Sequence, residues 1–473
     1  MKKNSENFFA NYGKKNTITE IYIHMKKVFV LLVIVLFNSL AHAQQIINRD
    51  PQINEMVQQV NPDSLRSYIN SLVSFGTRST LSSTTDANKG IGAAREWVVK
   101  KFREFARHSN GRLTAFVDTT TLQPDGRRID QKISLGNSVA VLKGTDPDDK
   151  RIYIISGHLD SRVSNVMNRT ADAPGANDDG SGVAAVLECA RIMAKHSFPA
   201  TIMFVAFSGE EQGLLGSGFM AEKARSQNWN IDALLNNDIM GSNNSNETNI
   251  IDNTRLRVFS ESYSIADTGR IAQMIRSQGL ENDSHSRQLA RYVKEIGERY
   301  VDNLEVVLIY RPDRFLRGGD QTPFLARGYA AVRLTEMNEN YLHQHQDLRT
   351  EDGVVYGDLI EFMDFEYLRK NTAVNLATLA NLAKAPSVPQ QVRIEVRNLT
   401  NSTSLNWKAP ENGKTNGYYV LVRETSSPVW EKKIFTSQTT ITLPYSKDNY
   451  FFAVQSVNES GNESLPVIPM IGR

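Results

Sequence analysis

SGHLDS (156–161), PGANDDGSG (174–182) and FSGEE (207–211) are the segments whose reading decides the fold of this 473-residue chain. Two apolar runs, 152–155 and 202–207, lead into the first and the last of them, and residues 180–195 between carry apolar side chains at helical spacing. Strand, helix and strand in that order build a largely parallel sheet covered on both faces. His158, Asp160, Asp178, Asp179, Glu210 and Glu211 then fall at the downstream ends or edges of strands. In an open α/β sheet that is where ligands bind.

The alternation continues outward. Upstream, residues 53–75 and 90–105 read as helices, and 113–121, 138–142 and 151–155 as strands. Downstream, 213–224, 270–278, 288–300 and 359–383 read as helices, and 233–237, 304–310 and 329–334 as strands, the first running straight into Asp238. Residues 242–253, rich in Asn and Ser, read as a surface loop. The fold class is therefore α/β, a three-layer αβα arrangement around a mostly parallel mixed sheet. After a Pro-containing linker at 384–389 the pattern changes to short strands at 392–396, 404–407, 417–424, 439–443 and 450–457, a small all-β sandwich. The domains expected are 1–43, a leader; 44–385, the α/β domain; and 386–473, the sandwich.

Lys and Arg total 54 against 52 Asp and Glu, a formal charge of +2, which argues against nucleic acid or an anionic membrane as partner. Met25-Lys-Lys, an apolar run at 28–37 and Ala41-His42-Ala43 form a signal peptide that would start at Met25 and be cut after Ala43. The apolar run is too short to span a bilayer, so a secreted or periplasmic protein with no integral span after cleavage is expected. Cys189 is the single cysteine, which excludes an internal disulfide and a Cys-rich zinc site.

Hydrolysing an amide at neutral pH needs a strong nucleophile, a polarised carbonyl, and a proton acceptor that later donates to the leaving amine. Two adjacent zinc ions and one carboxylate supply all three, and zinc accepts His nitrogen and Asp or Glu oxygen. His158, Asp178, Glu211, Asp238 and one His from residues 342–347 form such a ligand set. Glu210 is left over beside Glu211 as general base. Asp160, two residues beyond His158, is suited to accept the other ring N–H. Asp179, before Gly-Ser-Gly, is expected to support the ligands from behind, with a simple N-cap of the following helix as its alternative. A lone carboxylate at a strand end is more often solvated than ligating, but the joint pattern favours a metal site.

GHLDS, PGANDDGSG, FSGEEQGLLGS (207–217) and LLNNDIMG (234–241) resemble family 28 of the metallopeptidases, co-catalytic dizinc exopeptidases that are mostly aminopeptidases; the resemblance spans residues 66–383. It implies that Asp178 bridges two zinc ions, that His158 and Asp238 complete one, that Glu211 and a late His complete the other, and that Glu210 is the base. It also implies a cis peptide between Asp178 and Asp179. The family tends to place an acid four residues after the late His, which favours His343, with Asp347, over the alternative His345. Tyr341 could help an oxyanion or be buried. GGDQTPF (318–324) resembles the family's substrate-side loop, in which Asp320 could support the ligands or cap a helix. Trp407, Tyr418-Tyr419 and residues 449–461 resemble a fibronectin type III module, which would serve as a spacer or dock to a surface or polymer. The reading is an exported dizinc aminopeptidase acting on peptide substrates. Its rivals are a glutaminyl cyclase-like or carboxypeptidase-type enzyme of the same fold, and a catalytically inactive adhesion or receptor-like protein.

Overall fold

A computed structural model describes residues 49–263 and 268–471. The predicted leader and its cleavage site lie outside the described residues.

Pro62 divides the first predicted helix in two. Helix α1 (Pro51–Gln58) is capped by Asp50, whose carboxylate accepts the Gln52 N–H. Helix α2 (Pro62–Val73) begins where Asn61 accepts from the N–H groups of Asp63 and Ser64, with the proline in the first turn, where its missing N–H costs nothing. Then follow α3 (Gly90–Ala106), β1 (Leu113–Leu122), β2 (Ile133–Leu142), β3 (Ile152–His158), α4 (Gly180–Met193), β4 (Thr201–Phe207), α5 (Leu215–Ser226) and β5 (Ile231–Asn237). The second half supplies β6 (Arg255–Phe259), α6 (Arg270–Gln278), α7 (His285–Tyr300), β7 (Glu305–Ile309), α8 (Thr322–Leu325), β8 (Ala331–Glu336), a hairpin of β9 (Arg349–Glu351) and β10 (Val354–Tyr356), and α9 (Phe365–Lys384).

Eight strands form one mixed sheet in the order β1-β2-β4-β3-β5-β8-β6-β7. β4, β3, β5 and β8 run parallel, so their downstream ends lie at one edge. The register places His158 beside Phe207 and Ser156 beside Asn236. Both faces of the central strands are covered. Along β4, Ile202, Phe204 and Ala206 join an apolar cluster with α1, α2, α3, α4, α7 and α9, while Met203, Val205 and Phe207 join another with α5 and with Phe324 of α8. β6 had no counterpart in the sequence reading: its five residues alternate Arg with apolar side chains beside a polar loop, and pairing with β7 and β8 makes it a strand. The Asn-rich loop before it is anchored, with Asn243 and Asn253 amides donating to Asp364 at the start of α9. Cys189 is fully buried in α4. Among the described residues no helix is long and apolar enough to cross a membrane.

The C-terminal strands are β11 (Gln390–Ile394), β12 (Thr403–Lys408), β13 (Gly417–Glu424), β14 (Lys432–Thr436), β15 (Thr440–Leu443), β16 (Tyr450–Val457) and β17 (Met470–Ile471). They make two sheets, β15-β12-β11-β17 and β14-β13-β16. Trp407 meets Tyr418 edge-on at 5.2 Å in the core between them. The sandwich is no loosely tethered spacer, because polar and charged groups lock it to α7 and α9. Glu463, fully buried, pairs with Arg299 at 2.5 Å and with Lys433 at 2.7 Å. Arg423 pairs with Asp283 at 2.7 Å, and Asn462 donates to Asp50 and Asn381. The linker is held too, since Arg151 donates to the carbonyls of Ala385 and Pro386.

Candidate metal centre

His158 ends β3 with its ring buried. Its Nδ1 lies 2.9 Å from the carbonyl oxygen of Asp160, and a carbonyl can only accept, so Nδ1 carries the proton and Nε2 is free to bind. Nε2 faces Asp178 Oδ1 at 3.1 Å and Asp238 Oδ1 at 3.8 Å. The expectation that the Asp160 carboxylate would orient this ring is corrected: it stands 3.9 Å from Nδ1, and the main-chain carbonyl does the work. The carboxylate ties down the next strand end instead. Its Oδ1 accepts from the N–H groups of Gly209 and Glu210, and its Oδ2 from Glu211 N–H and the Thr80 hydroxyl.

Asp178 is presented by the loop between β3 and α4. The carboxylate of Asp358 accepts the N–H groups of Asn177 and Asp178 at 2.9 and 2.7 Å. The buried Arg78 holds the carbonyls of Leu159, Pro174 and Gly175. The Asp178–Asp179 peptide is cis. Asp179 turns away from Asp178 and caps α4: its Oδ1 accepts from Gly182 and Ile239, and its Oδ2 from the His158 N–H. One side chain thus ties together the ends of β3 and β5 and the start of α4. A Cβ on Gly182 would stand 2.4 Å from that carboxylate and 2.6 Å from the Asn237 carbonyl, so only glycine permits this approach.

The late histidine of the site is His345. Its Nε2 lies 2.9 Å from Asp178 Oδ2 and 2.8 Å from Glu211 Oε1. The preference for His343 is corrected: that ring stacks on Phe362 at 3.6 Å, nearly parallel, outside both groups. The acid that gave the spacing its appeal, Asp347, accepts a hydrogen bond from Ser164. His345 reaches the site through a left-handed backbone, φ 52°, which swings its side chain inward.

Two groups of potential ligands result, His158 with Asp178 and Asp238, and Asp178 with Glu211 and His345; within each the donor atoms lie within 4.8 Å of one another. Asp178 belongs to both. Despite burial, the carboxylates of Glu211 and Asp178 push the His345 imidazole up to about 10, and Asp178 and Asp238 raise that of His158. Burial works against ionisation of Asp238, yet Arg333 and His158 hold it down to about 2. The raised imidazoles mark surplus negative charge that a cation would neutralise. Nitrogen and oxygen donors without thiolate suit zinc.

Glu210 follows β4 with its N–H held by Asp160. Desolvation, with Glu211, Asp238 and Asp320 adding to it against His158, raises its carboxyl well above the usual range. Asp320 is fully buried, and burial pushes it up to about 7; it belongs to neither ligand group. Tyr341 is half exposed, with the Arg317 guanidinium 5.8 Å above its ring, and is not a core residue. Arg78, Asp358 and Arg333 support the centre without any signal in the local sequence. Their partners lie far along the chain, 81 to 97 residues away for Arg78 at these carbonyls and about 180 for Asp358.

The model of Peptidase family M28 matches residues 137–352, and that of the fibronectin type III domain matches residues 387–470. A probable zinc metalloprotease of Leptosphaeria maculans is 43% identical over 89% of this chain and 98% of its own length. One from Pyrenophora teres f. teres is 41% identical over 89% of this chain and 87% of its own. The solved structure of the LapA aminopeptidase of Legionella pneumophila is similar over 73% of this chain and 79% of that one, at TM-score 0.51 and 18% identity, a likeness of fold.

Proposed function

Because the chain belongs to peptidase family M28, and is with its relatives a zinc-dependent hydrolase of peptides, we propose that it is an exported aminopeptidase holding two zinc ions that share Asp178. One observation carries this reading: the two donor groups meet at Asp178 and leave Glu210 uncommitted beside them. His158 and Asp238 would complete one zinc position, and Glu211 and His345 the other. Zinc bound there supplies a Lewis acid for the scissile carbonyl and makes water more acidic.

The chain's own residues supply the rest. Glu210 takes the proton of the attacking water and returns it to the leaving amine; a carboxyl raised by its surroundings is suited to both transfers. Asp160 fixes the turn that carries Glu210 and Glu211, so base and ligand move as one unit. Export, and docking of the C-terminal module to a surface or polymer, are part of the same proposal; they rest on residues 25–43 and on the sandwich fold.

The test is a panel of aminoacyl reporter substrates, assayed with chelator and with zinc restored, beside N-blocked peptides and a metal count. Two zinc ions per chain, and cleavage of free but not blocked N-termini, are expected. Cleavage of blocked peptides would refute aminopeptidase action, and a single ion per chain would refute the dizinc reading.

A further inference from the structure

Arg333 lies on β8 beside β5, fully buried, where a guanidinium is costly unless it is paired. Its Nη1 stands 2.8 Å from Asp238 Oδ2, and its Nη2 donates to the Asp238 carbonyl at 3.2 Å. The same Nη1 lies 3.4 Å from both oxygens of Asp313, in the loop after β7. The two oxygens of Asp238 therefore have different neighbours. Oδ2 is engaged by the guanidinium, and Oδ1 points toward His158 Nε2, 3.8 Å away. Asp178 and Glu211 have no guanidinium so close: both Asp178 oxygens face imidazoles, and Glu211 has His345 at 2.8 Å from Oε1 and the Arg162 guanidinium only at 3.8 Å from Oε2.

We propose that Arg333 is a positioning residue for metal choice, which by engaging Asp238 Oδ2 restricts Asp238 to a single-oxygen ligand and biases its site toward zinc over larger oxygen-preferring cations. The inference rests on the reading of Asp238 as a metal ligand. Zinc is satisfied by four ligands, whereas manganese prefers six and calcium takes six to eight, so these larger ions gain more from a second oxygen of the same carboxylate. The positive charge beside Asp238 acts in the same direction, weakening any cation that relies on charge more than on the imidazole of His158.

The experiment measures zinc and manganese affinities of the whole chain by competition with a chromophoric chelator, for wild type, Arg333→Met, Arg333→Lys and Asp238→Asn. Supporting residues of metal ligands typically change affinity about 10- to 100-fold. In Arg333→Met the preference for zinc over manganese is expected to fall at least about tenfold, and Arg333→Lys, which keeps the charge, to stay close to wild type. A residue that only holds the fold together would weaken both metals alike, so an unchanged ratio in Arg333→Met overturns the proposal. Should that variant not fold, the crystal structure of manganese-loaded wild type decides: Asp238 bound through Oδ1 alone supports the proposal, and Asp238 bound through both oxygens overturns it. Zinc affinity unaltered in Asp238→Asn would overturn the ligand reading instead, so the two failures are distinguishable.

Discussion

Replacing Asp160 by Asn tests how the centre is held together. The buried carboxylate takes four donors, Gly209 N–H at 2.9 Å and Glu210 N–H at 3.2 Å on Oδ1, and Glu211 N–H at 3.1 Å and the Thr80 hydroxyl at 3.0 Å on Oδ2. An asparagine oxygen can still serve Gly209 and Glu210, but without the charge that strengthens both bonds. Its NH2 then faces the Glu211 N–H, donor against donor. The Thr80 hydroxyl can rotate to accept, so the loss centres on one buried N–H and on the charge assistance of two others. A buried unpaired donor costs about 1–3 kcal/mol and a bond to a charged group is worth about 1.5–3 kcal/mol, so a total near 3 kcal/mol is expected. Because the turn that Asp160 holds carries Glu210 and Glu211 together, kcat/KM should fall about 100-fold. The assay pairs urea unfolding with kcat/KM at saturating zinc, with Thr80→Val, which removes only the hydroxyl, expected within about 1 kcal/mol of wild type. Asp160→Asn within about twofold of wild type in both measurements would refute the role assigned to this carboxylate.

Glu210→Gln should keep the zinc content of wild type, measured by metal analysis, while kcat drops about 10²–10⁴-fold, the usual contribution of a general acid–base group. His345→Ala should lower bound zinc on dialysis; His343→Ala should retain it, losing stability through the Phe362 stack, and the opposite result would restore the reading from spacing. Glu463 gives a pH dependence: burial opposes its ionisation, but Lys433 and Arg299 lower its carboxyl to about 2 from an unfolded value near 4.5. A depressed folded value means that the stabilisation is complete above about pH 4.5 and is lost as pH falls toward 2. At about 1.4 kcal/mol per unit this is on the order of 3 kcal/mol. Urea midpoints between pH 7 and 3 should therefore drop less steeply in Glu463→Gln than in wild type, and parallel curves would exclude this group as the source.

Where the sequence was legible, a local pattern had a physical cause. β3 and β4 are continuous apolar runs because clusters cover both their faces, and His158, Asp178, Glu211 and Asp238 stand out because a strand end places a short polar motif at the sheet edge. His345 did not stand out, since its entry depends on one left-handed backbone angle that spacing does not encode. The Asp160 carboxylate was assigned to the histidine two residues away, although a main-chain carbonyl at that distance suffices and leaves the carboxylate for residues 209–211. Arg78, Asp358 and Arg333 act on segments remote in sequence, and a buried charge has no periodicity to betray it. β6 became a strand only through its neighbours.

The contact between the sandwich and α7 bears on how such chains can be recombined. A cut at Ala385 would leave Arg299 without Glu463, Asp50 and Asn381 without the Asn462 amide, Asp283 without Arg423, and the Tyr292 hydroxyl without the Glu463 carbonyl it bonds at 2.6 Å. The peptidase half taken alone would expose charged and polar groups that the sandwich covers and pairs, and its yield as a soluble fragment should suffer accordingly. A chimaera bearing a foreign sandwich meets the same difficulty unless Arg423, Asn462 and Glu463 are transplanted with it. Those three positions make the module a built-in wall of this catalytic domain and not an exchangeable attachment.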